Sequence, residues 1–147
     1  MTASLRLVLD TNVVLSALLW TGRPAELIDR AAGDAVRLFT SEHLIEGLRR
    51  SLCKPRLAAR VGAVGLSPED HAANYAAIAT VIEPAPLPGP VSRDRDDDHV
   101  LACGLAASAN TIVTGDDDLL ALGAWQGMAI LRVGECLAVI TALGGKR

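Results

Sequence analysis

Carboxylates dominate the chemistry available to this chain, and they come in three groups. Asp10 closes the apolar run Leu5-Arg6-Leu7-Val8-Leu9. Asp94, Asp96, Asp97 and Asp98 stand just ahead of the apolar stretch from Val100 to Ala106. Asp116, Asp117 and Asp118 follow the short run Thr111-Ile112-Val113-Thr114. If the first and third runs are strands of one parallel sheet, the acids that follow them meet at a single edge. Crowded carboxylates repel: at ~4 Å and an effective dielectric near 20, a like-charged pair costs about 4 kcal/mol. Protons or a cation must offset that repulsion, and a donor set made only of oxygens suits Mg²⁺ or Mn²⁺.

Each group also has a purely structural reading. Asp10 is either a metal ligand, oriented by hydrogen bonds from Thr11 and Asn12, or part of a helix start in which Asn12 caps a helix over 13–20. In the second group, four acids within five positions exceed what capping requires. Asp94 and Asp96 read as solvated charge, with Arg93 and Arg95 offsetting the repulsion. Asp97 and Asp98 lie closer to the apolar helix, so at least one can face a pocket. In the third group Gly115 permits a sharp turn. Asp116 is the pocket candidate, with Thr114 and Asp118 placed beside it as supporting groups. Capping accounts readily for one of the three acids there, not for all.

The remaining polar residues are less telling. Glu46 sits near the edge of the stripe Leu44, Ile45, Leu48 and, taken alone, is a surface glutamate. A basic group follows it: Arg49, Arg50, Lys54, Arg56 and Arg60. It can grip phosphates beside a metal or form a solvated helix face. His43, His71 and His99 lack a metal-ligand spacing and read as surface or partly buried side chains, although His99 adjoins the acids and could serve in proton transfer. Neither a Gly-rich phosphate loop nor a nucleophile elbow occurs.

The elements that must position these groups alternate. Strands are expected over 5–9, 36–39, 111–114 and 128–133, with a short one near 80–82. Helices are expected over 13–20, from Pro24 to about Ala32, over 42–52 behind a capping Ser41, from Ser67-Pro68 toward Ala79, and over 97–107, 117–122 and 135–143. Pro55 breaks the third helix, and a short basic turn follows over 56–60. Pro84 to Pro90 is a stiff surface loop, and 144–147 a frayed tail. This order argues one domain over residues 1–147 with a three-layer α/β/α fold, built around a central, mostly parallel twisted sheet.

Composition excludes several classes. The chain has 147 residues, a net charge of −3 and a pI near 5.5, so it is not a nucleic-acid binder by bulk charge. Its aromatics are Trp20, Phe39, Tyr75 and Trp125 alone, too few for extended base stacking. Cys53, Cys103 and Cys136 form no Cys-x-x-Cys pair and read as small core residues on helical faces. Neither a secretory signal nor a membrane span is expected, which points to a soluble, cytoplasmic protein.

Taken together, four segments resemble the PIN-domain family of metal-dependent ribonucleases. They are Leu-Asp-Thr-Asn-Val at 9–13, Ser-Glu-His-Leu-Ile-Glu at 41–46, Asp-Asp-Asp-His-Val-Leu-Ala at 96–102 and Val-Thr-Gly-Asp-Asp-Asp-Leu-Leu at 113–120. The resemblance implies that Asp10, Glu46, one of Asp97 or Asp98, and Asp116 form the catalytic set, with the aspartates holding Mg²⁺ or Mn²⁺. It implies cleavage of RNA by water, leaving a 5′-phosphate and a 3′-hydroxyl. Small single-domain members resemble this chain in size and are toxins of toxin–antitoxin pairs, which implies an antitoxin partner and a homodimer. Two other readings are open. One is a phospho-receiver-like regulatory module, which needs a lysine near the pocket, whereas Lys54 and Lys146 follow no strand. The other is a degenerate PIN-like domain that binds RNA without cutting it.

Overall fold

A computed structural model describes residues 5–31, 33 and 35–144 of the chain; most of the expected tail, 145–147, lies outside them. Strand β1 (Leu5–Leu9) sits at the centre because its residues can be buried on both faces. Leu7, Val8 and Leu9 are all buried. It pairs in parallel with β2 (Val36–Thr40) on one side and β4 (Thr111–Val113) on the other. Two-residue β3 (Thr80–Val81) extends the sheet beyond β2, and β6 (Met128–Leu131) extends it beyond β4, both in parallel. Short β5 (Ala124–Trp125) closes the far edge antiparallel to β6, giving the order β3-β2-β1-β4-β6-β5.

Alternation along β1 separates two cores. Leu7 and Leu9 join Val14, Leu19 and Leu27 on one side, with α1 (Thr11–Leu19), α2 (Arg23–Arg30) and α8 (Val133–Gly144) in that layer. Val8 joins Phe39, Leu101 and Ile112 on the other, beneath α6 (Arg95–Ala107). Helix α3 (Glu42–Leu52) feeds both cores, placing Leu48 and Leu52 in the first and Leu44 in the second. The result is the three-layer α/β/α arrangement expected. Helix α6 lies close against the sheet because residue 104 is glycine: a Cβ there would stand 2.7 Å from both Ile112 Cδ1 and Met128 Sδ.

Several local features differ from expectation. Helix α1 begins at Thr11, not Val13, and its cap is Asp10 rather than Asn12. The acid ends the strand in extended conformation, so its carboxylate already faces the first turn and can accept there. The stretch 56–60 is not a basic turn. A 3₁₀ turn (Pro55–Leu57) runs into α4 (Ala58–Val64), anchored by buried Leu57 and Val61. Helix α5 (Pro68–Ile78) starts as read, with Ser67 and Asp70 forming a reciprocal capping box. Helix α6 starts two residues before the expected position because Asp94 caps it. Strand β5 went unrecognised. It is joined to β6 by Gln126-Gly127, both at positive φ, a two-residue hairpin turn in which glutamine is an unusual occupant. Cys53 is exposed, not core, and His71 is buried, not superficial. Among the described residues neither Arg93 nor Arg95 forms an ion pair with the acids near it.

Candidate functional site

Chain order puts the site where it is. From β1 the chain moves outward to β2, then returns across the sheet to β4 on the opposite side of β1. Strands β1 and β4 therefore flank a topological switch point, where the ends of neighbouring strands diverge and leave a crevice. Asp10 leaves β1 there, and Thr114-Gly115-Asp116 leaves β4 beside it, ahead of the one-turn helix α7 (Asp117–Leu120). The Asp10 amide donates to the carbonyl of Val113 at 2.9 Å, continuing the sheet pairing by one residue.

Thr114 locks the two strand ends together. Its side chain is fully buried. The hydroxyl donates to Asp10 Oδ2 at 2.7 Å and accepts from the Asp116 amide at 2.9 Å. The Thr11 amide donates to the other oxygen of Asp10 at 2.7 Å. Asp116 in turn accepts from the amides of Asp118 (2.7 Å) and Leu119 (3.3 Å), which fixes its carboxylate at the start of α7. Thr11 thus orients Asp10 through its main chain, and Asp118 supports Asp116 through its own, while the Asp118 side chain is exposed. Asn12 lines the cleft without a hydrogen bond to Asp10 among the described residues.

The third acidic contribution comes from α6. Asp97 is almost completely buried, and Ser92 Oγ donates to its Oδ2 at 3.0 Å. Asp94, the cap of α6, accepts from the Asp96 amide. Carboxylate oxygens of Asp94, Asp97 and Asp116 lie within 4.8 Å of one another. Asp98 faces another way: its carboxylate accepts from the amides of Val91 (3.2 Å) and Ser92 (2.8 Å), clamping the preceding loop to the helix. Of Asp97 and Asp98, only Asp97 joins the acidic group. Asp94 is exposed, as its reading as solvated charge expects, and it also brings an oxygen to this group.

Electrostatics follow from the crowding. Burial pushes the Asp97 carboxyl up to about 6; the Ser92 hydrogen bond pulls it down, and Asp116, Asp10 and Asp94 add repulsion. Asp10 is also held above its ordinary value, by burial first; the hydrogen bonds from Thr114 and Thr11 oppose this, and Asp116 and Asp94 add to it. Among the described residues no Lys or Arg forms an ion pair with the group. The ion pairs among the described residues involve Glu26, Glu46 and Glu69 only. Closely set oxygen donors without a balancing charge are what a hard divalent cation takes, so the residues present fit Mg²⁺ or Mn²⁺.

These acids form one wall of a cleft of about 470 Å³, and α3 forms the other. Arg50 and Lys54 line it. Glu46 does not. It points to solvent and holds Arg49 in a bidentate pair (2.5 and 3.0 Å), and Arg49 also reaches Glu69 at 3.7 Å. Arg56 is exposed and outside the cleft lining. His43 lines the cleft, and its ring stacks on that of His99 with centroids 3.4 Å apart and planes 17° from parallel. Burial, then the neighbouring His99, holds the His43 pKa below its usual value despite Asp96.

Sequence reasoning missed Ser92 and His43 as members of the site. Nothing in the local pattern marks Ser92, because its contact depends on how the Pro-rich loop turns. His43 did carry a signal: it lies seven residues before Arg50, hence on the same helical face. Comparison with curated proteins finds no match to this chain. A family model described as the PIN domain, a family whose members are generally metal-dependent nucleases, matches residues 6–118, the segment that carries Asp10, Asp97, Thr114 and Asp116, and the chain belongs to the PIN-domain family.

Proposed function

We propose that this protein is a Mg²⁺- or Mn²⁺-dependent endoribonuclease that cleaves RNA phosphodiesters with water. The observation that carries the reading is the convergence of Asp94, Asp97 and Asp116 oxygens within 4.8 Å, with Asp10 tied to the same strand end through Thr114. Asp10, Asp97 and Asp116 would hold the cation, with Asp94 beside them. When bound, such a cation lowers the pKa of water and stabilises the charge that develops on the scissile phosphate. A carboxylate of the group accepts the proton of the attacking water. Arg50 and Lys54, on the opposite wall, hold phosphates flanking the scissile one. Arg49 and Arg56 lie further out and serve the approach of RNA. Glu46 belongs to the catalytic set through its correspondence to the family pattern alone. The products are a 5′-phosphate and a 3′-hydroxyl.

Within the family, the chain's size suits the toxin of a toxin–antitoxin pair, acting as a homodimer and silenced by a cognate antitoxin. The phospho-receiver alternative loses its ground with the family assignment. Purified protein is expected to cut RNA in Mn²⁺ and to stop in chelator. Asp10→Asn and Asp116→Asn should each lower the rate by at least a hundredfold with an unchanged circular dichroism spectrum. Full cleavage by either variant would overturn the assignment. Induced expression should arrest growth if the protein is a toxin, and Asp116→Asn should relieve the arrest.

A further inference from the structure

The amino-terminal edge of the sheet, away from the acids, carries a second concentration of charge. Arg6 on β1 and Arg37 on β2 are Cα partners in the parallel register. Their strands lie about 4.8 Å apart, and residues paired in this way project from the same face. Arg6 stands two residues before Val8 and Arg37 two before Phe39, both members of the core beneath α6. The two arginines therefore come to the Phe39 ring from its amino-terminal side. The Cζ of Arg6 lies 4.4 Å and that of Arg37 5.2 Å from the ring centroid. Like charges held side by side on neighbouring strands destabilise a sheet unless something offsets them.

Within the fold little does. The ion pairs among the described residues use Arg30 and Arg49, not Arg6 or Arg37. Arg6 Nε donates to the carbonyl of Ala107, the last residue of α6, at 2.7 Å. A helix carboxyl end carries about half a negative charge, which offsets part of one guanidinium and leaves the other. Arg37 is exposed, and among the described residues its contact is the Phe39 ring. A ring contact uses no N–H group, so Arg37 keeps its donors, and Arg6 keeps those of its two terminal nitrogens. Asn110 fixes Arg6 from the main chain: its Oδ1 accepts from the Arg6 amide at 2.7 Å, and its amide donates to the Arg6 carbonyl at 2.8 Å. Two planar forks suit a tetrahedral oxyanion, which arginine grips in bidentate fashion. A phosphate monoester carries about −1.5 to −2 charges at pH 7, near what two guanidinium groups require. A carboxylate or a phosphodiester brings only one.

We propose that Arg6 and Arg37 form a binding site for a phosphate dianion, either the free ion or the terminal phosphate of a strand. Arg6 precedes Asp10 by four extended residues, about 13 Å, so the site stands apart from the acids and does not depend on the nuclease reading. The full chain in chelator is titrated calorimetrically with inorganic phosphate, then with an RNA oligomer bearing a 5′-phosphate and with its 5′-hydroxyl counterpart. Arg37→Gln is the informative change, because Arg6→Gln would also release the end of α6. It is expected to weaken phosphate binding roughly tenfold or more. Arg37→Lys, which keeps the charge without the fork, should fall between, and Arg50→Gln in the acid cleft should have no effect. A preference for the 5′-phosphate oligomer that vanishes in Arg37→Gln assigns the site to strand ends. Loss of inorganic phosphate binding without such a preference assigns it to the free ion, and either result supports the site. Equal phosphate affinity in wild type and Arg37→Gln overturns it, as does a loss that follows Arg50→Gln instead. Asp34 is the acid nearest Arg37 in the sequence. Phosphate binding that is absent in wild type, or that appears only with Asp34→Asn, means that the pair needs no external anion and also overturns the proposal.

Discussion

Thr114 shows how much of the site depends on one hydroxyl that never touches substrate. Fully buried, it joins Asp10 to the Asp116 amide and so sets the spacing between the acids that end β1 and follow β4. Valine is nearly isosteric but provides neither donor nor acceptor. Thr114→Val should therefore leave the Asp116 amide without its partner and cost about 1–3 kcal/mol in stability. It also removes the hydrogen bond that lowers the Asp10 pKa, so the acidic limb of the cleavage profile should move to higher pH. Cation affinity or rate should fall about 10- to 100-fold, the usual effect of losing a group that orients a ligand. Thr114→Ser keeps the hydroxyl and should recover most of both. A Mn²⁺ titration of cleavage with a thermal melt of each variant decides the matter; wild-type Mn²⁺ dependence in Thr114→Val would remove the hydroxyl from this role.

At the scale of elements, legibility followed the strength of the local signal. Helix α5 could be read from Ser67-Pro68-Glu69-Asp70 because cap, proline and acids act within one turn. Strand β1 could be read because Leu7, Val8 and Leu9, buried on both faces of the sheet, are all apolar. The meeting of Asp10 with Asp116 followed from parallel strands alone, and both stand at that edge. What escaped depended on contacts between distant segments. Asp97 could not be told from Asp98 in the sequence, since the choice rests on which carboxylate the amides of Val91 and Ser92 capture. Asp94 is solvated as read, but its place beside Asp116 depends on the packing of α6 over the sheet and was not legible. Gly104 sets that packing, yet a glycine inside a helical stretch carries no such message on its own. Gly104→Val would force Ile112 and Met128 aside and should cost about 1–3 kcal/mol, with α6 displaced from β4. Urea denaturation reads the loss. Unchanged stability would show that the sheet yields there without cost.

For the whole molecule, the cluster is a local liability that a bound cation would correct. In chelator the folded state holds Asp97 with a pKa raised to about 6, against 3.8 for an ordinary aspartate. Between these values the folded protein binds more protons than the unfolded chain, so stability falls as pH rises through that window. The contribution is fully present below about pH 4 and lost above about pH 6. Its size is at most about 3 kcal/mol, worth several degrees in melting temperature for a chain of this length. Other carboxylates titrate over the same range, so the informative quantity is the difference between wild type and Asp97→Asn. In chelator the variant should melt above wild type at about pH 7.5, and the gap should narrow as pH falls and close below about pH 4. Added Mn²⁺ should reverse the order, because a ligand at a hundredfold its dissociation constant stabilises the protein that binds it by about 2.7 kcal/mol. Asp97→Asn trades that response for a more stable apoprotein, the exchange expected when function requires charges that folding disfavours. Calorimetry of both proteins across pH, with and without Mn²⁺, provides the comparison. A wild type that melts above Asp97→Asn in chelator at about pH 7.5 would mean that the acids are already neutralised within the fold, leaving no electrostatic reason for a cation to bind there.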